Sequence, residues 1–180
     1  MVPLYILGML KRFGPMHGYR LKKLIAEQLS DFADIKLPTL YYHLERLAGE
    51  GFVSANAEKP GARPEKTVYA IAEAGVARFR KLLFAQLDFV YRPTFPADGA
   101  FYFSDDIDPG ELVRRLDAYV GRLETALAKL EVHRAATVPF IPPEMRAQAR
   151  IIFDHHARHY EAERDWARAS AALLNERSSI

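Results

Sequence analysis

Residues 38 to 71 leave few folds open to this chain. A helical run opened by proline and closed by glycine leads directly into two short alternating runs around a charged, Pro/Gly-rich turn. In PTLYYHLERLAGE, Pro38 suits a first helical turn, where its missing N–H would be unpaired anyway. Leu40, Leu44 and Leu47 recur at helical spacing and predict a buried stripe, with Leu37, Tyr41 and Ala48 beside it. The opposite face then carries Thr39, Tyr42, His43 and Arg46, and Gly51 stands where a left-handed residue ends the helix. Residues 52–58 and 66–71, with KPGARPE between them, predict a β-hairpin with an extended basic tip.

Two helices are expected before this block. Residues 4–12 place Leu4, Leu7 and Leu10 on one side and stop at Gly14-Pro15. Residues 17–29 turn Leu21, Leu24, Ile25 and Leu29 inward and Arg20, Lys23 and Glu27 outward, ending at Ser30-Asp31. A fourth helix is expected over 72–90, with Val76, Phe79, Leu83 and Val90 on one face. Three helices followed by a hairpin is the element order of a winged helix-turn-helix, whose third helix enters the DNA major groove. Its outward polar groups meet base edges, and cations around it displace counterions from phosphates. The candidate DNA contacts are Lys36, Thr39, Tyr42, His43 and Arg46 on the third helix, Lys59, Arg63 and Lys66 on the wing, and Arg20 and Lys23 on the second helix. Charge points the same way. The chain as a whole is +2, but residues 1–92 hold 14 Lys/Arg against 9 Asp/Glu, net +5, and residues 93–180 hold 11 against 14, net −3. A solvated helix face or an ordinary hairpin tip carries such residues too; the element order is what favours DNA.

The second half reads differently. YRPTFPADGAFYFSDDIDPG mixes turn formers with the Phe101-Tyr102-Phe103 cluster, which predicts a linker with a short helix before Asp108 caps the next one. The expected domains are therefore 1–92 and 93–180. Leu112, Leu116, Tyr119, Leu123, Ala126 and Leu130 follow a 4-3-4-3-4 spacing, a seam suited to a partner helix. Beyond Pro139, Pro142 and Pro143 a last helix is expected over 144–175, with Ala149, Ile152, Phe153, His156, Tyr160, Trp166 and Leu173 on a broad stripe. The expected fold class is mainly α with a small β-hairpin wing: a winged helix-turn-helix domain plus a C-terminal domain of long antiparallel helices that dimerises. Leu112, Leu116, Tyr119, Leu123, Leu130 and Trp166 are the candidate dimer contacts, and Tyr119, Phe153, Tyr160 and Trp166 the candidates for an effector pocket. Aromatic residues at helical spacing serve equally well as plain core.

Several classes fall away. The chain has no cysteine, which removes disulfides, thiolate zinc sites and cysteine nucleophiles and leaves the cytoplasm as the expected compartment. Val2 to Leu10 is too short for a membrane span and lacks the flanks of a leader, so no membrane partner is expected. There is no nucleotide-binding glycine pattern, no Gly-x-Ser-x-Gly elbow and no convincing catalytic carboxylate pair, so neither an enzyme nor a cofactor is expected. His155 and His159, with His156 between them, have an i,i+4 spacing that can hold zinc, but two ligands do not complete a site and no metal is expected.

GPMHGYRLKKLI (14–25), PTLYYHLERLAGEGFV (38–53) and GARPEKTVYAIAEAG (61–75) resemble, in order and spacing, the three signature segments of PadR-family transcriptional regulators. The likeness covers residues 4–91, and the C-terminal half resembles the longer helical domain of some members, with the EAERDW pattern ending at Trp166. The resemblance implies that Tyr41 is the recurrent aromatic of the recognition helix, and that Arg63-Pro64 is a wing-tip pair meeting the DNA backbone or minor groove. It also implies a dimerising C-terminal domain and a response to small aromatic compounds. One departure is Lys36-Leu37-Pro38, where many members open the recognition helix with a serine; Lys36 cannot accept a capping hydrogen bond but can reach a phosphate. The expected function is sequence-specific regulation of transcription, as a repressor. A homodimer would bind a near-palindromic double-stranded operator with its third helices roughly 34 Å apart, and a small aromatic effector would release it. A winged-helix protein-interaction module without DNA binding, and a metal-responsive regulator using the histidine pair, stand as alternatives.

Overall fold

Pro3 lies in the first turn of α1 (Val2–Phe13), and Gly14 closes that helix at φ 78 with its N–H on the Leu10 carbonyl at 3.0 Å. The computed structural model describes residues 1–29, 33–58, 66–88, 90 and 92–177. Two units make up the chain, Met1–Pro93 and Thr94–Ile180.

In the first unit α1 is followed by β1 (Met16–His17), α2 (Gly18–Gln28), α3 (Leu37–Gly49), β2 (Val53–Glu58), β3 (Lys66–Ile71) and α4 (Glu73–Ala85). The strands form one antiparallel sheet in the order β1-β3-β2, with Val53 opposite Ile71, Glu58 opposite Lys66 and Met16 opposite Tyr69. The helical stripes close over one core. Ile6, Leu7 and Leu10 of α1, Leu21 and Ile25 of α2, and Leu40 and Leu44 of α3 are sealed from solvent, with Leu47, Val53 and Tyr69 at its edge. Gly51, φ 76, turns the chain out of α3 and lets the Phe52 N–H bond the Leu47 carbonyl.

Two features of this unit differ from the sequence reading. The strand β1 is an addition: two residues hold no alternation to recognise, and only pairing with β3 makes them a strand. The fourth helix stops at Ala85 rather than at residue 90. There the Gln86 and Leu87 N–H groups bond the Leu83 and Phe84 carbonyls in tighter three-residue turns, and Leu87 and Val90 are left 86% and 97% exposed. Val90, expected on the buried face, is exposed instead.

The second unit holds α5 (Pro96–Tyr102), α6 (Pro109–Thr137) and α7 (Arg146–Arg177), with short 3-10 turns at Ser104–Asp106, Val138–Phe140 and Pro143–Met145. α6 and α7 run antiparallel, fastened by Arg134 to Asp154 at 2.9 Å near the turn, and by Tyr119 to Glu163 at 3.1 Å and Arg168 to Glu124 farther along. Ala167 and Ala171 of α7 are buried beside Leu116. Their small side chains allow α6 to come close. The mainly helical fold with a small wing sheet and long C-terminal helices is the expected class, and no helix among the described residues is long and apolar enough to cross a membrane.

Asp108 caps α6 by accepting the Glu111 N–H at 2.9 Å. Asp108→Ala is expected to cost the C-terminal unit about 1 kcal/mol. Thermal unfolding followed by the fluorescence of Trp166, the chain's single tryptophan, checks this; an unchanged midpoint would show that the cap contributes nothing.

Candidate nucleic-acid interface

The division of α3 into two faces follows from its leucine spacing. With Leu40, Leu44 and Leu47 turned into the core, Thr39, Tyr42 and Arg46 must point outward, and all three are exposed. Tyr41 lies between the faces. An added Cβ on Gly18 would stand only 2.7 Å from the Tyr41 ring, so this aromatic packs against the start of α2, and glycine is what lets it lie there. Lys36 precedes the helix without a side-chain cap, as its chemistry requires; its ammonium bonds Asp34 at 2.6 Å. That contact holds the Asp34 carboxyl below its ordinary range. Pro38 in the first turn starts the helix in place of a cap.

Arg46 donates to Glu50 at 2.8 Å along the helix surface, and this pairing, aided by Tyr42, raises its already high pKa. His43 is half-buried, its ring edge-on to Tyr42 at 5.1 Å, and its Nδ1 is sealed from solvent without a hydrogen-bond partner among the described residues. Burial and the nearby positive charges of Arg46 and the Met1 amino group depress its pKa.

Arg20 and Lys23 are exposed on α2, Lys23 lying 3.7 Å from Glu27. Lys59 and Arg63 lie outside the described residues, as does Pro64; Lys66 opens β3, its side chain also outside that set. One exposed aromatic beside these cations lies outside the candidate set. Tyr19 is 72% exposed on α2, next to Arg20 and one turn before Lys23, and the signal for it was an aromatic on the outward face of an amphipathic helix. His17 serves the fold, its Nδ1 lying 3.2 Å from the Thr67 carbonyl to tie β1 to β3.

The C-terminal candidates fall at separate places. Leu116 and Leu123 of the seam are buried within their own chain, and Leu112, Tyr119 and Leu130 are half-buried. The seam is thus occupied largely by α7, which the spacing could not foretell. Trp166 packs edge-on to Phe101 at 5.7 Å, near Tyr119. Phe153 is buried beside the His133 ring at 5.4 Å, whereas Tyr160 is exposed beside His155, His156 and His159. The four effector-pocket candidates therefore occupy three places along the α6–α7 pair. His155 and His159 approach to 3.1 Å between their Nε2 atoms, and among the described residues no group of three His, Asp or Glu side chains is arranged to hold a metal ion.

The winged unit matches known proteins. Over 70 residues the chain is 31% identical to the negative transcriptional regulator PadR of Bacillus subtilis, a stretch covering 39% of this chain and 38% of that protein. The matched part thus spans well under two thirds of the regulator's length. In fold, the chain is similar to the crystal structure of Bacillus subtilis PadR in complex with operator DNA. The TM-score is 0.76 and the identity 19%, with 96% of this chain and 98% of that one covered. The structure of the same protein in complex with p-coumaric acid gives a TM-score of 0.72 at 18% identity, covering 97% and 96%. The Vibrio cholerae virulence activator AphA gives 0.68 at 19%, covering 98% and 99%. At these identities the structural likeness is one of fold. Residues 6–81, most of the winged helix-turn-helix unit, match the transcriptional regulator PadR-like family.

Proposed function

We propose that this transcriptional regulator represses its target by binding a near-palindromic operator as a homodimer, with α3 of each protomer in the major groove. The observation that carries the reading is the two-sided α3: a sealed leucine stripe holds the helix rigid while Thr39, Tyr42 and Arg46 face outward from a unit of net charge +5. Arg20 and Lys23, exposed on α2, would reach phosphates, and Lys36, Lys59, Arg63 and Lys66 would add to the positive charge. The name of the Bacillus subtilis relative supports the repressor role, and its operator-DNA complex supports the docking mode.

The second unit, by this reading, holds the dimer together and receives a small aromatic acid. The p-coumaric acid complex of Bacillus subtilis PadR supports that class of effector. Such a ligand weakens operator binding only by binding the DNA-competent and DNA-incompetent states with different affinity. Operator dissociation constants that stay constant across a panel of aromatic acids would remove the effector from this account, and a solution mass of 20.5 kDa rather than twice that would remove the dimer.

The test is binding to the DNA just upstream of the protein's own gene and to a random-duplex library, at two salt concentrations with random duplex as competitor. Specific binding that falls log-linearly with salt is the expected result. Arg20→Ala is expected to weaken all sequences alike and to lower the salt slope by about one for each phosphate contact removed. No selective binding to any duplex would favour the protein-interaction alternative.

A further inference from the structure

We propose that His43 faces DNA as a neutral imidazole protonated on Nε2, a single outward donor that selects an acceptor edge in the major groove, guanine first. The inference rests on the DNA-binding reading of α3 and assigns one of its contacts a chemical class.

The geometry of the ring supplies the argument. A neutral imidazole has one N–H and one lone pair, and an imidazolium has two N–H groups. His43 Nδ1 is sealed from solvent and has no hydrogen-bond partner among the described residues. A proton there would be a buried donor with no acceptor, which native structures avoid more strictly than an unpaired acceptor. The lone pair therefore belongs on Nδ1 and the proton on Nε2, on the half of the ring that solvent reaches. A doubly protonated ring would bury the same orphan donor with a charge added. Burial, Arg46 and the Met1 amino group oppose that charge as well. The edge-on contact with Tyr42 at 5.1 Å restricts the ring's orientation. His17 in the same unit offers an internal contrast. Its Nδ1 lies 3.2 Å from the Thr67 carbonyl, which can only accept, so its proton sits on Nδ1.

In the major groove a lone donor is met by guanine N7 and O6, or by thymine O4, and is refused by the cytosine amino group. Guanine presents two acceptors side by side and adenine only one beside a donor. At the base that His43 faces, guanine is thus expected to be favoured over cytosine by about tenfold.

Two measurements on the full chain test this. Long-range proton–nitrogen correlation spectra at neutral pH should show His43 with an unprotonated Nδ1 and a protonated Nε2, and His17 with a protonated Nδ1. Selection from a randomised duplex pool should show one half-site position at which the unaltered protein prefers guanine. His43→Ala should level that position alone, and His43→Gln, whose amide both donates and accepts, should move it toward adenine. A proton on Nδ1, a charged ring, or a base preference unchanged in His43→Ala would overturn the inference. Failure of the unaltered protein to enrich any duplex would instead overturn the DNA-binding reading, and the base contact with it, even with the proton found on Nε2.

Discussion

Gly75→Ala is expected to destabilise the N-terminal unit by more than about 3 kcal/mol, lowering its melting temperature by over about 12 °C. A Cβ at Gly75 would stand 2.0 Å from the Phe52 carbonyl oxygen and 2.9 Å from Ile71 Cγ1. The first of these is backbone and cannot swing aside. The same carbonyl accepts the Ala72 N–H at 3.0 Å just ahead of α4, so moving it breaks the junction of helix and hairpin. Gly49→Ala is the control. Gly49 ends α3 with nothing within 4 Å of an added Cβ, and alanine there is expected to add roughly 0.5–1 kcal/mol. Calorimetric melting of both variants checks the pair. A Gly75→Ala midpoint indistinguishable from that of the parent would mean that α4 and Phe52 do not approach as closely as the structure has them.

Leu44→Ala is expected to cost about 2–5 kcal/mol, because the side chain is fully buried and its removal leaves a cavity among α1, α2 and α3. Its loss should reach DNA binding only through unfolding. Tyr42→Ala, two residues away on the outward face and 60% exposed in the parent, should stay within about 0.5 kcal/mol in stability and still weaken operator binding. Denaturant unfolding and DNA titration of both variants, each at a temperature where it is folded, separate the two faces. Equal stability losses would show that α3 is not divided as described. An affinity unchanged in Tyr42→Ala would remove that residue from the interface.

Much of the fold could be read locally because its signals are local. Leu40, Leu44 and Leu47 announce a buried stripe by spacing alone, Gly51 marks the turn out of α3, and Asp108 announces the cap of α6. The outward placement of Thr39, Tyr42 and Arg46 follows from the same stripe, since a helix that commits one face leaves the other to solvent. The end of α4 was overrun for the complementary reason. Leu83, Leu87 and Val90 are apolar enough to continue a helix, but apolarity does not state whether a neighbour exists to cover them, and all three stay exposed. The α6 seam shows the same limit from the other side: its spacing calls for a partner helix without saying whose, and α7 of the same chain takes much of it.

What the sequence determined by itself is therefore the set of elements and the face each turns inward, because helical and strand periods and terminal residues act over a few positions. Tertiary structure decided which distant residues meet. It made Met16 and His17 a strand by laying them on Val68 and Tyr69, required a hydrogen atom at Gly75 because Phe52 presses against it, and left His43 with one nitrogen sealed. Those outcomes depend on ångström-scale contacts between segments far apart in the chain, and no local pattern contains such distances.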